Sequence, residues 1–275
     1  MNTTPSASDS SSGTSDRRDG SGRRALVLAG GGAAGNAWEL GVIAGLCEAG
    51  VDLTEADLIV GTSAGSTAAA QITSGMPPAE LYAATTAAAP RPQTAGAGPD
   101  AGRSAGRTAV ASSVNYLEWS NEIIASASDA SDMRRRMGAA ALEKDASDGA
   151  ATTRWHNIVA SRLTSHDWPE QAVLITAVDA RTGQPVTFDR TSGVGLVDAV
   201  AASTSSLTPY RIGENRYLDG GYRRNENADL ATGYARVIVL SPFGGRSRMP
   251  QECQAAHGGH AQGLALAERL GEFWR

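Results

Sequence analysis

The sequence has few of the features that build disulfide frameworks, membrane spans or nucleic-acid surfaces. Only 2 of its 275 residues are cysteine, and two isolated cysteines, Cys47 and Cys253, favour a reducing compartment over a disulfide scaffold. No apolar run reaches the roughly 18 residues that a membrane-spanning helix needs, and the first residues contain no apolar signal segment. A net charge of −5 argues against nucleic-acid binding. We therefore expect a cytoplasmic protein that binds no nucleic acid.

Histidine is also scarce, with 4 residues in the whole chain. Two of them, His257 and His260, form the segment HGGH, in which the intervening glycines cannot hold two imidazoles in a fixed geometry. No third ligand is evident beside them, and a zinc site needs three or four. We predict no metal site and no cofactor.

Low-complexity segments divide the chain. Residues 1–23 are rich in Ser, Thr, Asp, Gly and Arg, a composition that predicts a disordered polar tail. Residues 24–275 are enough for one globular domain with a single core. A segment rich in Gly, Ala, Ser and Pro at about 90–113 interrupts this domain. We expect a flexible loop there, either a lid, an insertion or a connection without function.

Hydrophobic patterning predicts two consecutive strand–helix units at the start of the domain. Residues 24–30 (RALVLAG) form an apolar run, and residues 35–50 then place apolar side chains on one helical stripe, at positions 38, 42, 43, 46 and 47. A second apolar run, DLIV at 57–60, precedes an Ala-rich segment that favours a helix. Two such units in succession imply neighbouring parallel strands with helices packed on them.

The later elements indicate the same fold class. Apolar runs at 172–178 and 185–188 predict a hairpin that turns at Thr182 and Gly183. GLVDAVAAS, residues 195–203, predicts a helix, and ARVIVLS, residues 235–241, predicts a final buried strand before a C-terminal helix. We expect an α/β fold with a mixed or mainly parallel sheet.

The segment GTSAG at 61–65 matches GxSxG, the pattern of a nucleophilic serine in a sharp strand-to-helix turn. An apolar run precedes Ser63 and a helix-forming segment follows it. A strand and helix that nearly touch also require tiny neighbours, here Gly61, Ala64 and Gly65. A second match, GRSAG at 102–106, has neither flank and is an accident of composition. Ser63 is the candidate nucleophile; the alternative is a serine that caps an ordinary buried helix.

A serine hydroxyl needs a base to accept its proton, and the sequence offers two kinds. Asp219 lies in YLDGG after a short predicted strand, where Gly220 and Gly221 let the chain turn and leave the carboxylate uncovered; an Asp in an ordinary turn is the alternative. His257 or His260 would instead complete the order Ser, Asp, His of α/β-hydrolases. In that fold, however, several strands precede the serine, whereas here it follows the second.

The segment GGGAAG at 30–35 follows the first predicted strand. Such a loop can bind the phosphates of a dinucleotide, or it can form an oxyanion hole from free amides at a helix start. Dinucleotide binding calls for an acidic residue at the end of the second strand, but Asp52 and Glu55 precede that strand. An oxyanion hole needs a nucleophile on a neighbouring strand, and Ser63 meets that need.

These motifs in this order, GGGAAG, GTSAG and DGG, resemble the patatin-like phospholipase family over roughly residues 24–240. The resemblance implies a three-layer α/β/α sandwich with a mainly parallel central sheet, and a Ser/Asp dyad of Ser63 as nucleophile and Asp219 as proton acceptor. It also implies an oxyanion hole and a set of motif glycines: the amides of Gly31, Gly32 and Ala33, and the glycines Gly30, Gly35, Gly61, Gly65, Gly220 and Gly221. AASTSSLTPY, residues 201–210, is similar to the family's Ser- and Pro-containing segment before the aspartate.

The resemblance implies a lipid acyl ester hydrolase of the phospholipase, lysophospholipase or esterase type. Ala34 stands where family members commonly carry a basic residue, so charge assistance from that position is missing. An acyltransferase, a non-enzymatic lipid-binding protein and a nucleotide-binding reductase are the alternatives. The run 134–136 (RRR) suits a solvated helix face, or peripheral contact with anionic lipid head groups. The sequence does not indicate an oligomeric state.

Overall fold

The computed structural model describes residues 22–87, 118–145 and 149–245. Several predictions fall outside these residues: almost all of the polar tail, the loop at 90–113, the second GxSxG match, the C-terminal helix, and both histidines of HGGH. Arg23 already belongs to the domain, since its carbonyl oxygen accepts hydrogen bonds from the amides of Ala235 and Arg236.

Seven strands within the described residues form one sheet. They are β1 (Arg24–Leu28), β2 (Leu58–Gly61), β3 (Ala172–Asp179), β4 (Pro185–Phe188), β5 (Tyr210–Ile212), β6 (Asn215–Asp219) and β7 (Arg236–Leu240). Pairings follow the order β5-β6-β3-β2-β1-β7, with β4 also on β3. Strands β7, β1, β2 and β3 are parallel, whereas β4, β5 and β6 add antiparallel pairs. The sheet is therefore mainly parallel, as predicted.

Helices cover both faces of this sheet. They are α1 (Gly32–Glu48), α2 (Ala64–Ile72), α3 (Pro78–Thr86), α4 (residues 118–126), α5 (Ala130–Leu142), α6 (Ala150–Ala160) and α7 (Leu196–Ser203). Because strand side chains alternate between faces, Leu26 and Leu28 pack in the larger core with α1, α2 and α7. Ala25 and Val27 face the opposite side, where α4 and α5 pack over Val178. The architecture is a three-layer α/β/α sandwich.

Two strands meet end to end on one edge of β3. Ile175 of β3 pairs with Gly61 of β2, and Ala177 pairs with Asp219 of β6. Strand β4 pairs with both Ile175 and Ala177, so it occupies the other edge, and β2 and β6 must share the remaining one. These two strands run towards each other. Their carboxyl ends, Gly61 and Asp219, consequently face one another across a gap of one β3 residue.

The structure confirms the two strand–helix units at the start of the domain and the hairpin of β3 and β4. The expectation of a buried final strand is wrong. Strand β7 pairs only with β1 within the described residues, and Val239 is 40% exposed. A short apolar run has the same pattern in a central strand and in an edge strand, so its composition could not separate the two.

The buried face of α1 differs from the apolar stripe that the sequence predicts. Ile43 and Leu46 are buried as expected, but Trp38 is 37% exposed, whereas Glu39 is 0% exposed. The face that enters the core therefore passes through Glu39 and Leu40. Helical periodicity read from apolar residues alone cannot anticipate a carboxyl group in the core.

Glu39 is held in an unfavourable environment for a charge. Neither of its carboxyl oxygens has a hydrogen-bond partner among the described residues. Burial raises the pKa of Glu39 from 4.5 to about 9, and the nearby amide of Ala29, which donates to the carbonyl of Leu240, offsets only part of this rise. The side chain is therefore neutral at pH 7, since a lone buried carboxylate would cost far more than a buried acid.

Replacing Glu39 by glutamine should stabilise the protein at high pH but not at low pH. The native state holds this proton up to about pH 9 while the unfolded chain releases it near pH 4.5, so native stability falls between those values by about 1.4 kcal/mol per pH unit. Urea unfolding should give Glu39→Gln and wild type similar stabilities near pH 5. At pH 8 the variant should be more stable by about 2–4 kcal/mol. A stability difference that does not change with pH would contradict this assignment.

Candidate active site

Ser63 occupies a strained turn between β2 and α2. Its backbone angles are φ 52° and ψ −117°, and it is one of two non-glycine residues with positive φ in the described chain. Such a conformation costs of order 1–3 kcal/mol and persists where the surrounding packing imposes it. A β-carbon at Gly65 would lie 2.1 Å from the carbonyl oxygen of Leu28, and one at Gly61 would lie 2.6 Å from the Cα of Ser66. A sharp strand-to-helix turn thus lies at Ser63, and contact requires its tiny neighbours.

The head-to-head strands bring the predicted serine and aspartate together. Ser63 Oγ donates a hydrogen bond of 2.6 Å to Asp219 Oδ2. The second carboxylate oxygen, Oδ1, accepts a 2.8 Å bond from the amide of Gly221, which fixes the plane of the carboxylate. A β-carbon at Gly220 would come within 2.2 Å of Thr176 Oγ1, so glycine is the residue that fits there. One oxygen of Asp219 thus faces the serine while the other is held by the backbone.

The environment of Asp219 makes its carboxylate a stronger base than an exposed one. Desolvation raises the pKa of Asp219 from 3.8 to about 6, although the hydrogen bonds from Ser63 and Gly221 act in the opposite direction. The group remains ionised at neutral pH and can accept a proton. A base whose pKa lies near the working pH is the condition for efficient proton transfer.

The glycine-rich segment lies beside Ser63 and begins α1. A β-carbon at Gly30 would be 3.5 Å from Ser63 Cβ, and the Gly30 amide already donates to the carbonyl of Asn225. The first backbone bond of the helix runs from the Gly35 amide to the Gly31 carbonyl. The amides of Gly31, Gly32 and Ala33 therefore precede the intrahelical ladder, which leaves them available to an anion at the positive end of the helix dipole.

The backbone angle of Gly32 explains why a glycine stands inside this motif. Its φ of +62° lies in the left-handed region, which other residues seldom adopt. The chain can thus turn from the end of β1 directly into α1. Gly31 and Gly35 also pack against the ring of Pro242, so the segment has little room for side chains.

Several residues that position the site were missed by sequence reasoning. The amide of Ser63 donates to Ser203 Oγ at 2.9 Å, and the amide of Asp219 donates to the carbonyl of Ser205 at 2.7 Å. Ser203 ends α7 and Ser205 follows the helix, both within the segment 201–210 that resembles the family's Ser- and Pro-containing segment. Asn227 and Thr176 also contact both sides of the site, and neither carries a sequence signal that would have found it.

The two histidines within the described residues make contacts other than with Ser63. His166 Nε2 lies 3.0 Å from the carbonyl of Ala160, and His156 lies 3.8 Å from Asp198. Side chains of the run 134–136 bond to Gly183 or to Asp132, which fits a helix surface. Within the described residues, no group of acidic, histidine or cysteine side chains is arranged to hold a metal ion. No described helix has the length and hydropathy to cross a bilayer.

Comparison with known proteins identifies the family. Curated protein sequences give no match to the chain. The sequence profile of the patatin-like phospholipase family matches residues 26–232, which is more than half of the chain and includes Gly30, Ser63 and Asp219. Lipid acyl hydrolysis is the general activity that this family supports. The chain belongs to the patatin-like phospholipase family.

Proposed function

We propose that the protein hydrolyses lipid acyl esters through a seryl acyl-enzyme, with Ser63 as nucleophile and Asp219 as its base. The 2.6 Å hydrogen bond between Ser63 Oγ and Asp219 Oδ2 carries this proposal. A serine that only caps a helix directs its oxygen to a backbone amide, whereas no side-chain capping bond is made at this position. The strained turn, and the hydrogen bond from the hydroxyl to the Asp219 carboxylate, are instead typical of an activated serine.

In the first half-reaction, Ser63 Oγ attacks the ester carbonyl carbon while its proton passes to Asp219 Oδ2. Negative charge develops on the carbonyl oxygen, and the amides of Gly31, Gly32 and Ala33 stabilise it. The bond to the leaving alcohol then breaks, and Asp219 returns the proton to that alcohol oxygen. The products are a free alcohol and a fatty acyl ester on Ser63.

In the second half-reaction, water replaces the alcohol. Asp219 Oδ2 accepts a proton from the water as its oxygen attacks the acyl carbonyl, and the same amides hold the developing oxyanion. The bond from the acyl carbon to Ser63 Oγ breaks, and the proton returns to the serine. A fatty acid is released and the starting hydrogen bond is restored.

Backbone amides supply the oxyanion stabilisation in this proposal without a charge at position 34. Ala34 is exposed and stands where family members commonly carry a basic residue, so it adds no charge. Removal of one preorganised donor in such a site costs about 3–4 kcal/mol, which shows that amides alone can lower the barrier substantially. The dipole of the 17-residue helix α1 adds to their effect.

Both members of the dyad should be essential. Ser63→Ala removes the nucleophile and Asp219→Asn removes the base, so each should lower ester hydrolysis by at least about 10³-fold. Assay with p-nitrophenyl butyrate and with phospholipid vesicles measures this loss, and circular dichroism verifies folding. Intact-mass spectrometry after fluorophosphonate treatment should find a single label on wild type and none on Ser63→Ala. Full activity in either variant would refute the dyad.

Matched variants separate the dyad from the alternatives. Ser104→Ala alters the second GxSxG match and should leave labelling and turnover unchanged. His257→Ala and His260→Ala should also be nearly neutral, whereas a large loss in either would support a Ser–His–Asp triad. Label without any hydrolysis, but with acyl transfer to an added alcohol, would favour an acyltransferase. No label on wild type would favour a lipid-binding protein.

The pH dependence of kcat/KM should reveal the pKa of the proposed base, Asp219. Asp219 accepts a proton only when it is ionised, and its pKa is raised to about 6. The logarithm of kcat/KM should therefore rise with a slope near one below about pH 6 and level off above it. Asp219→Glu, if active, should move this limb. A rate that stays flat from pH 4 to pH 8 would show that no group of this pKa controls the reaction.

A further inference from the structure

We propose that Asn227 is a positioning residue that fixes the spacing between Ser63 and Asp219. The inference rests on the proposed function, because it assigns a role in the same reaction. Asn227 lies eight residues beyond Asp219 and outside the three sequence motifs. Its side chain is fully buried, and no hydrogen bond joins it to Ser63 or Asp219 within the described chain. Its effect must therefore pass through their neighbours.

The side-chain amide of Asn227 contacts the residues next to both members of the dyad. Its Nδ2 lies 3.0 Å from Thr62 Oγ1 and 3.3 Å from the carbonyl oxygen of Gly220. Thr62 immediately precedes Ser63, and Gly220 immediately follows Asp219. A single buried group thus joins the end of β2 to the end of β6.

Thr176 closes the network at the point where strand pairing stops. It lies between the two β3 residues that pair with Gly61 and Asp219, directly under the gap between the strand ends. Its Oγ1 donates to Thr62 Oγ1 at 3.0 Å and lies 3.3 Å from Asn227 Nδ2. Because β2 and β6 have no ladder to each other, these side-chain bonds hold the two ends in register.

The surroundings of Asn227 determine which way its amide points. Its Oδ1 accepts a 2.6 Å bond from Arg223 Nη1, and the same nitrogen bonds to Asp229 Oδ1 at 2.9 Å. The NH₂ group must therefore face the threonines and the carbonyl oxygens of Gly220 and Arg224, the latter at 2.7 Å. Its φ of 53° is a conformation that asparagine tolerates better than most residues. Few other side chains combine this backbone with a donor group.

The test uses two variants that remove parts of the network without substituting Ser63 or Asp219. Asn227→Gly deletes the donor and keeps the left-handed backbone unstrained, and Thr176→Val deletes a hydroxyl while preserving shape. Asn36→Ala is the matched control, because Asn36 is also a buried asparagine whose amide bonds to a side chain, Gln71 Oε1 at 3.0 Å, in the contact between α1 and α2. The full chain is compared in every case.

The first readout is the rate constant for fluorophosphonate labelling. The others are kcat, KM and the pH profile for p-nitrophenyl butyrate, with kcat calculated from the concentration of sites that can be labelled. Asn227→Gly should lower the labelling rate and kcat by about 10- to 100-fold, the cost of misplacing a reacting group by about 1 Å. KM should stay within about twofold. The acidic limb should move to higher pH, because the Ser63 bond that lowers the pKa of Asp219 is weakened. Thr176→Val should change each quantity in the same direction by less.

A purely structural role predicts a different pattern. Both variants and Asn36→Ala would then lose thermal stability while labelled sites react at the wild-type rate with an unchanged acidic limb. That result in Asn227→Gly, or in Thr176→Val if the first variant does not fold, would overturn the proposal. If wild type is labelled but hydrolyses no ester, the proposed function fails while the labelling rates still decide the role of Asn227. If wild type is not labelled, both proposals fail.

Discussion

The hydrogen bond from Ser63 Oγ to Asp219 Oδ2 is the interaction on which the site depends. It joins residues 156 positions apart in sequence, and it exists because β2 and β6 approach each other along one edge of β3. In this arrangement neither residue needs a loop to reach its partner. The proposed dyad instead lies where two strands end, and both strands pair with β3.

The approach of β2 and β6 along one edge of β3 requires close packing of the residues around Ser63 and Asp219. The strand, elbow and helix approach so closely that Gly65 meets the backbone of β1, and Gly220 meets Thr176. The backbone ladder is missing where the two strands stop. In its place, the amides of Ser63 and Asp219 donate to Ser203 and Ser205, and Asn227 donates to Thr62. Interiors packed to this density transmit small displacements, so residues that touch no substrate can still control the distance between the reacting groups.

The sequence was most informative where the constraint is local. Tiny residues flank the sharp turn at Ser63, and that requirement is visible within five positions. Asp219 could be proposed as its partner only with the family resemblance, since an aspartate before two glycines also suits an ordinary turn. The proposed oxyanion amides rest on a glycine run at a helix start together with the same resemblance. Asn227 was not identifiable, because its partners Thr62 and Thr176 are 165 and 51 residues away. The burial of Glu39 and the edge position of β7 were missed for the same reason, since both depend on what packs alongside.

The amide of Gly221 bonds to Asp219 Oδ1 and Ser63 Oγ bonds to Oδ2, so the proposed chemistry uses Oδ2 for its proton transfers. The serine hydroxyl, the departing alcohol and the incoming water therefore compete for a single oxygen atom. In the proposed mechanism, the departing alcohol and the incoming water also approach the acyl carbon at the same position, so water takes the place of the alcohol before deacylation. Alcohol at that position returns the acyl group of the proposed intermediate to an ester, whereas water releases the fatty acid, so the fate of the acyl group depends on which oxygen arrives first.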